Sequence, residues 1–294
     1  MRIAIIIVCT KLYFFQPFYG SSFSFFFGKK NILDGYNTPE ELEAAKWGKS
    51  VLLFPFPNRL DHGRYEWLGK QYEFPLNNAA TENAIHGFVR DEAFEVEYVF
   101  LAKDHASILC SYTCDGSRSY YPFPFSLEVE FMIHDRGSFT LEAACLNLHD
   151  QPIPIGFGWH PYFRLAGRAG DHRMQLPAGT RIGINERMIP TGQDTPFTDF
   201  QRKKPVGDTI LDNCFRSGKS AGNYALRLES DVRSIVVKAN ARQFPFFQVF
   251  TPPHRESIAL EPMSCNVDAF NNRQGLVTLE PDQEWKGKIE VELQ

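Results

Sequence analysis

Polar and apolar positions alternate with a period of two along most of this chain. FEVEYVFLA (94–102), FSLEVEFMI (125–133), SFTLEAACLNL (138–148), YALRLES (224–230), SIVVKA (234–239), FFQVFT (246–251), SIALEP (257–262) and WKGKIEVEL (285–293) alternate or run apolar at strand length. HDRG (134–137) joins two of these segments as a tight hairpin, ESDVR (229–233) joins two more, and PDQE (281–284) precedes the last. Residues 166–208 are looser and read as short strands mixed with loops. One helix is predicted, in TPEELEAAKWG (38–48). Thr38 is its N-cap, Pro39 its first helical position, Glu41 closes a capping box, and Gly48 follows its end. Proline and glycine punctuate the rest, with no long linker and no fixed-period repeat. The pattern predicts one large, mostly antiparallel all-β domain over residues 1–294.

Composition narrows the partners. The chain is 43% hydrophobic and 14% aromatic, enough for a large core, and its formal charge of −4 advertises no basic face for nucleic acid. A neutral or weakly polar small molecule fits better. The six cysteines, at 8, 110, 114, 145, 214 and 265, match neither zinc-ligand nor redox spacing and read as free thiols in a reducing cytosol. The eight histidines show no HExxH and no paired ligand spacing, so no metal is expected. No nucleophile elbow, P-loop or dinucleotide fingerprint is present, so no cofactor is expected either. MRIAIIIVCTKLYFF opens with a basic residue and an apolar run. Thr10-Lys11 interrupts that run, no small-residue cleavage site follows, and it is too short to span a bilayer. Residues 1–16 are therefore read as a first strand rather than a targeting segment.

Candidate chemistry lies where polar residues meet glycine or proline. In GFGWHPYFRL (156–165), Pro161 disfavours the α region for His160 and aromatic neighbours surround it. That is how a protein immobilises a proton donor, and also how it packs an ordinary core histidine. Asn58 and Arg59 follow the apolar strand that ends in Pro-Phe-Pro (55–57), where a solvated strand end would look the same. His86 precedes Gly87, which lets the backbone turn. Asp212, in DTILDNCF, either accepts hydrogen bonds from hydroxyls or caps a turn. Glu261 is expected to end an apolar strand, with Pro262 fixing where the chain leaves. A partly desolvated carboxylate there would be a better base near neutrality.

Taken together and in order, FPFPNR, NAIHGFVR, WHPYFRL, LDNCF and the LEP…DAFN segment resemble the aldose 1-epimerase (mutarotase) family, from about residue 17 to the last strand. The resemblance implies a galactose mutarotase-like supersandwich, a large antiparallel β-sandwich with few short helices, built around a sugar cleft. It places the family's general base on Glu261 and its general acid on His160. It places Arg59, His86 and Asp212 against sugar hydroxyls and the ring oxygen, with Asn58 assisting and Tyr162 or Phe163 lining the floor. The implied reaction opens the pyranose ring by acid–base catalysis and closes it as the other anomer, with no cofactor.

The sequence departs from the family pattern. Trp159 and Arg164 flank HPYF where the family reads asparagine, Pro262 and Met263 follow Glu261 where it reads threonine and glutamine, and Asn266 stands where proline is common. Arg164 would add a cation near the cleft and leaves open a charged or phosphorylated sugar. The expectation is a cytoplasmic, cofactor-independent isomerase of carbohydrate metabolism, monomeric or homodimeric, with a small sugar as substrate and no nucleic-acid or membrane partner. The alternatives are a non-catalytic carbohydrate-binding sandwich and an epimerase of a modified sugar. A lyase or glycosidase accessory is disfavoured, because a glycosidase works with two carboxylates.

Overall fold

The computed structural model describes residues 26–27, 30–36, 38, 41, 46–218 and 222–294. Strand Phe125–His134 shows how alternation becomes a sheet. Phe125, Leu127, Val129, Phe131 and Ile133 are buried, while the residues between them are half-buried or exposed. It pairs antiparallel with Ser138–Asn147 on one side and His105–Cys114 on the other, ten residues in register each time. The HDRG hairpin is present, with His134 opposite Ser138. These strands belong to a nine-stranded antiparallel sheet that includes Asn223–Glu229, Ser234–Asn240 and Glu284–Leu293, and has Glu95–Leu101 at one edge.

A second sheet of eight strands carries Thr195–Phe197, Gly179–Arg181, Asp212–Ser217, Phe246–Phe250 and Ile258–Met263 in that order. Two-residue strands Gly158–Trp159 and Tyr162–Phe163 both pair with Ile258–Met263, and Leu52–Leu53 pairs with the former. One core lies between the sheets. It joins Phe125, Leu127, Phe139 and Leu141 of the first to Phe215, Phe247, Val249, Ile258 and Leu260 of the second. The fold is a large antiparallel β-sandwich. Each large apolar side chain so buried contributes about 1.5–3 kcal/mol relative to exposure.

Alternation in the second sheet sends the other residues to its opposite face. Phe247, Val249, Ile258 and Leu260 join the core, so Gln248, Phe250, Ala259 and Glu261 point away from it. Trp159 and Phe163 are core residues, which turns His160 and Tyr162 outward.

One local expectation is corrected, and one of the two readings of Asp212 falls away. Glu261 does not end its strand, which continues through Pro262 to Met263. Leu260 N–H donates to the Pro161 carbonyl and Ser264 N–H to that of Phe157, so the donor that proline lacks would fall between them, opposite Trp159. Trp159 is still held in register with Leu52 on its other side, and the strand continues past the proline. Asp212 opens the strand Asp212–Ser217 rather than capping a turn, because its neighbours pair in register with Phe246–Phe250.

The predicted helix lies partly outside the described residues. What is described agrees at its start, where Glu41 N–H donates to Thr38 Oγ1 at 3.2 Å, and Lys46–Gly48 is a 3-10 turn. Residues 1–16 lie outside the described residues. The five described cysteines are buried. No helix among the described residues is long and apolar enough to cross a membrane.

Candidate active site

Register places the first two groups. Gly158 pairs with Met263 and Tyr162 with Ala259, which brackets His160 opposite Glu261. On the other side of the same strand, Gln248 pairs with Glu261. One row across the sheet therefore reads His160, Glu261, Gln248. The next row reads Tyr162, Ala259, Phe250, Asp212. A second segment closes the site from above. Arg59–Leu60 pairs with Ala84–Ile85, so Asn58, Arg59 and His86 come together at one end of that pair. His86 N–H donates to the Asn58 carbonyl, and Asn58 N–H donates to His86 Nδ1 at 3.2 Å.

Glycine after the histidine has a steric cause. Gly87 lies at φ +64°, and a Cβ there would sit 2.0 Å from the Phe54 carbonyl oxygen. Only glycine lets the chain pass so close while aiming His86 at the cleft.

These residues line a cavity of about 350 Å³. All seven residues singled out in the sequence, Asn58, Arg59, His86, His160, Tyr162, Asp212 and Glu261, are on its wall. His160 Nε2 lies 3.4 Å from Glu261 Oε1. The His160 ring stacks on Tyr162 (centroids 4.9 Å, 13° between planes) and meets His86 edge to face at 5.3 Å. A polar chain runs along the wall beside Glu261: Arg59 Nη1 donates to Asn58 Oδ1, Asn58 Nδ2 to Gln248 Oε1, and Gln248 Nε2 to Asp212 Oδ1 at 2.7 Å. Arg59 Nε, His160 Nδ1 and Glu261 Oε1 are buried and have no hydrogen-bond partner within the protein. Such groups each cost about 1–3 kcal/mol unless a ligand satisfies them.

Burial dominates the electrostatics. It pushes the Glu261 carboxyl well above the usual range, with the like charge of Asp212 adding to the effect and Arg59 opposing it. Asp212 is raised by burial too, against the pull of Arg59 and the hydrogen bond from Gln248. His160 is pushed down to about 3 by burial, with the Arg90 charge acting in the same direction. His86 goes well below its ordinary value through burial and the positive charges of His160, Arg90 and Arg59. The arrangement is a buried acid–base pair in a cleft, faced by hydrogen-bond donors and acceptors of both kinds. Among the described residues, no three His, Cys, Asp or Glu side chains gather as metal ligands.

Three other residues noted in the sequence lie elsewhere. Phe163 is in the core rather than on the floor, because alternation gives that place to Tyr162. Met263 packs with Ile182, Cys214, Phe246 and Val267, away from the cavity wall. Arg164 is not a cleft cation; its guanidinium pairs with Asp34 at 3.2 Å and Glu256 at 2.7 Å. Conversely, Trp47, Asn78, Arg90, Gln248 and Phe250 line the cavity without having been singled out. Gln248 had a legible signal, as the one polar residue inside the apolar run FFQVF.

Known proteins agree with this architecture. A family model described as Aldose 1-epimerase matches residues 28–292. "Uncharacterized protein YihR" of Escherichia coli K12 is 27% identical over 249 residues, covering 82% of this chain and 77% of its own. Galactose mutarotase of Homo sapiens is 29% identical over 187 residues, covering 59% of this chain and 49% of its own, so the match spans about half of that relative. Among solved structures, galactose 1-epimerase from Lactobacillus acidophilus superposes with a TM-score of 0.80 at 17% identity, covering 94% of this chain and 89% of the other. A galactose mutarotase-like protein from Clostridium acetobutylicum gives 0.79 at 20% identity, over 90% and 86%.

Proposed function

The chain belongs to the aldose 1-epimerase family, and from that premise we propose that it interconverts the α and β anomers of a free aldose by acid–base catalysis in this cleft. The observation that carries the reading is the facing pair, His160 Nε2 and Glu261 Oε1 at 3.4 Å, in a cavity whose wall also carries Asn58, Arg59, His86, Asp212 and Gln248 as hydrogen-bonding groups. In this reading Glu261 takes the proton of the C1 hydroxyl while His160 gives one to the ring oxygen O5. The C1–O5 bond breaks, the open-chain aldehyde rotates about C1–C2, and closure returns both protons with the other anomer formed. Each of the two groups contributes about 10²–10⁴-fold.

The shifts described above support the pairing. Burial favours the neutral forms of both groups, so the pair holds one mobile proton between them rather than two fixed charges. Arg59 draws Glu261 back towards the carboxylate that the first step needs. His86, Asp212 and Arg59 hold sugar hydroxyls and the ring oxygen, Asn58 and Gln248 orient them, and the Tyr162 ring steadies the imidazole on which it stacks.

Polarimetry on freshly dissolved α-D-glucose and α-D-galactose, with wild type beside Glu261→Gln, tests the reading. Acceleration that vanishes in the variant supports it. Silence across a panel of aldoses, with sugar binding retained, would replace it with a non-catalytic binding protein. A modified sugar carrying an anionic group is the second reading, favoured by one observation. Arg90 lines the cavity, and its ion pair is with the exposed, adjacent Asp91 at 3.3 Å. A higher kcat/KM for a hexose 6-phosphate or a hexuronate than for glucose, reversed in Arg90→Met, would establish it.

A further inference from the structure

Asp34 lies outside the cavity wall, yet the segments that carry the reacting groups meet on it. Its side chain is 4% exposed. Oδ1 accepts a hydrogen bond from Lys49 Nζ at 3.0 Å and faces Arg164 Nη2 at 3.2 Å. Oδ2 accepts from Ser257 Oγ at 2.8 Å, and the Asp34 backbone N–H donates to the Tyr162 carbonyl at 2.8 Å.

Each partner is a short step along the chain from the site. Next to Lys49, Ser50 N–H donates to the His160 carbonyl at 2.9 Å, and His160 N–H donates to the Val51 carbonyl at 3.1 Å. Ser50 and Val51, directly after Lys49, thus hold both backbone polar groups of the histidine. Two residues before Lys49, the Trp47 carbonyl accepts from Tyr162 Oη at 2.9 Å. Ser257 leads directly into Ile258–Met263, the strand of Glu261. Arg164 follows Tyr162–Phe163 and passes its second contact to Glu256, so two cations face two carboxylates. An apolar cluster here would glue the same segments together. A buried carboxylate with three directional partners also fixes their register, since each bond weakens steeply with angle and distance.

We propose that Asp34 is a positioning residue for the acid–base pair: by tying Lys49, Arg164 and Ser257 to its carboxylate and the Tyr162 carbonyl to its backbone N–H, it sets the distance and angle between His160 and Glu261. The catalytic consequence rests on the epimerase reading. Reacting groups that shift by about 1 Å lose about 100-fold in rate, so a second layer with this geometry governs turnover without touching the sugar.

The test compares wild type, Asp34→Asn and Ser257→Ala by mutarotation kinetics, thermal melting and ¹⁵N NMR of the His160 ring. Asp34→Asn keeps the shape and removes the charge. It is expected to lower kcat about 10- to 100-fold while KM changes less than about threefold, and to move the His160 ring resonances. Ser257→Ala deletes one bond and no charge, and is expected to lower kcat a few-fold with melting near wild type. Turnover within about twofold of wild type in both variants, with His160 resonances unchanged, would reduce Asp34 to a structural staple and overturn the proposal. If Asp34→Asn does not fold, Ser257→Ala decides by the same two readouts. A wild type that turns over no aldose would sink the epimerase reading alone, because the NMR comparison still decides whether Asp34 positions His160.

Discussion

The imidazole of His86 meets that of His160 edge to face, with ring centroids 5.3 Å apart, and burial holds the His86 ring neutral, with positive charge on His160, Arg90 and Arg59 acting in the same direction. Two imidazolium groups cannot share that space in a buried cleft. His86 therefore acts as a neutral hydrogen-bonding partner, with Nδ1 already accepting from Asn58 N–H, which leaves Nε2–H as its donor towards the cavity. Losing a buried hydrogen-bonding group costs about 1–3 kcal/mol, so His86→Phe is expected to lower kcat/KM about 5- to 100-fold, mostly through KM. Initial-rate polarimetry over a range of sugar concentrations separates the two constants.

Glu261→Gln and His160→Asn are each expected to reduce turnover by at least about 100-fold. Their folds should survive. Glu261 is buried and pushed towards its neutral form, so a neutral amide of the same shape is expected to melt at or above the wild-type temperature near pH 7. Full-speed turnover in either variant would remove that residue from the mechanism.

Acid should destabilise the protein partly through His160. Its folded-state value, about 3, lies below the ordinary 6.5, so the unfolded chain binds the proton more readily between those limits. Stability from this group is complete above pH 6.5 and is lost as the pH falls towards 3. His160→Gln is expected to flatten the fall in melting temperature between pH 6.5 and 3 relative to wild type. Parallel curves for the two proteins would show that the histidine is not buried in its neutral form.

Gly87→Ala tests the close pass beneath His86. A Cβ at 2.0 Å from the Phe54 carbonyl, on a backbone at φ +64°, forces the chain to move. The expected cost is about 1–3 kcal/mol of stability together with reduced turnover, read by denaturant unfolding and polarimetry. Gly192→Ala is the control, with a similar φ of +79° and open space around it, and should lose stability but little activity.

Much of this was legible in the chain. Seven of the eight segments became strands because their apolar positions lie two apart and reach a common core, as Phe125 to Ile133 shows, whereas Glu95–Leu101 pairs at the sheet edge and stays largely exposed. The site residues were legible through their chemistry and order, whereas their facing arrangement was not. Glu261 looked like a strand end because proline usually stops a ladder, and only the break between Gly158–Trp159 and Tyr162–Phe163 shows why this one does not. Arg164 looked like a cleft cation because it follows Tyr162 by two, and the partner that turns it away, Asp34, is 130 positions earlier. Trp47, Arg90 and Phe250 reach the wall from separate segments, and nothing local to each marks it as a wall residue.

The wall of the cavity is assembled from residues 58, 86, 160, 212 and 261, and no two of these are neighbours in sequence. Loops of that length are closed late, after local hairpins such as Phe125–His134 with Ser138–Asn147 have formed. Catalytic competence should therefore be the last property recovered on refolding, trailing the recovery of sheet by circular dichroism. A chain caught part-way would hold most of its hydrogen bonds and no working cleft, which, on the epimerase reading, makes mutarotation a more stringent assay of complete folding than any spectroscopic signal from the sheets.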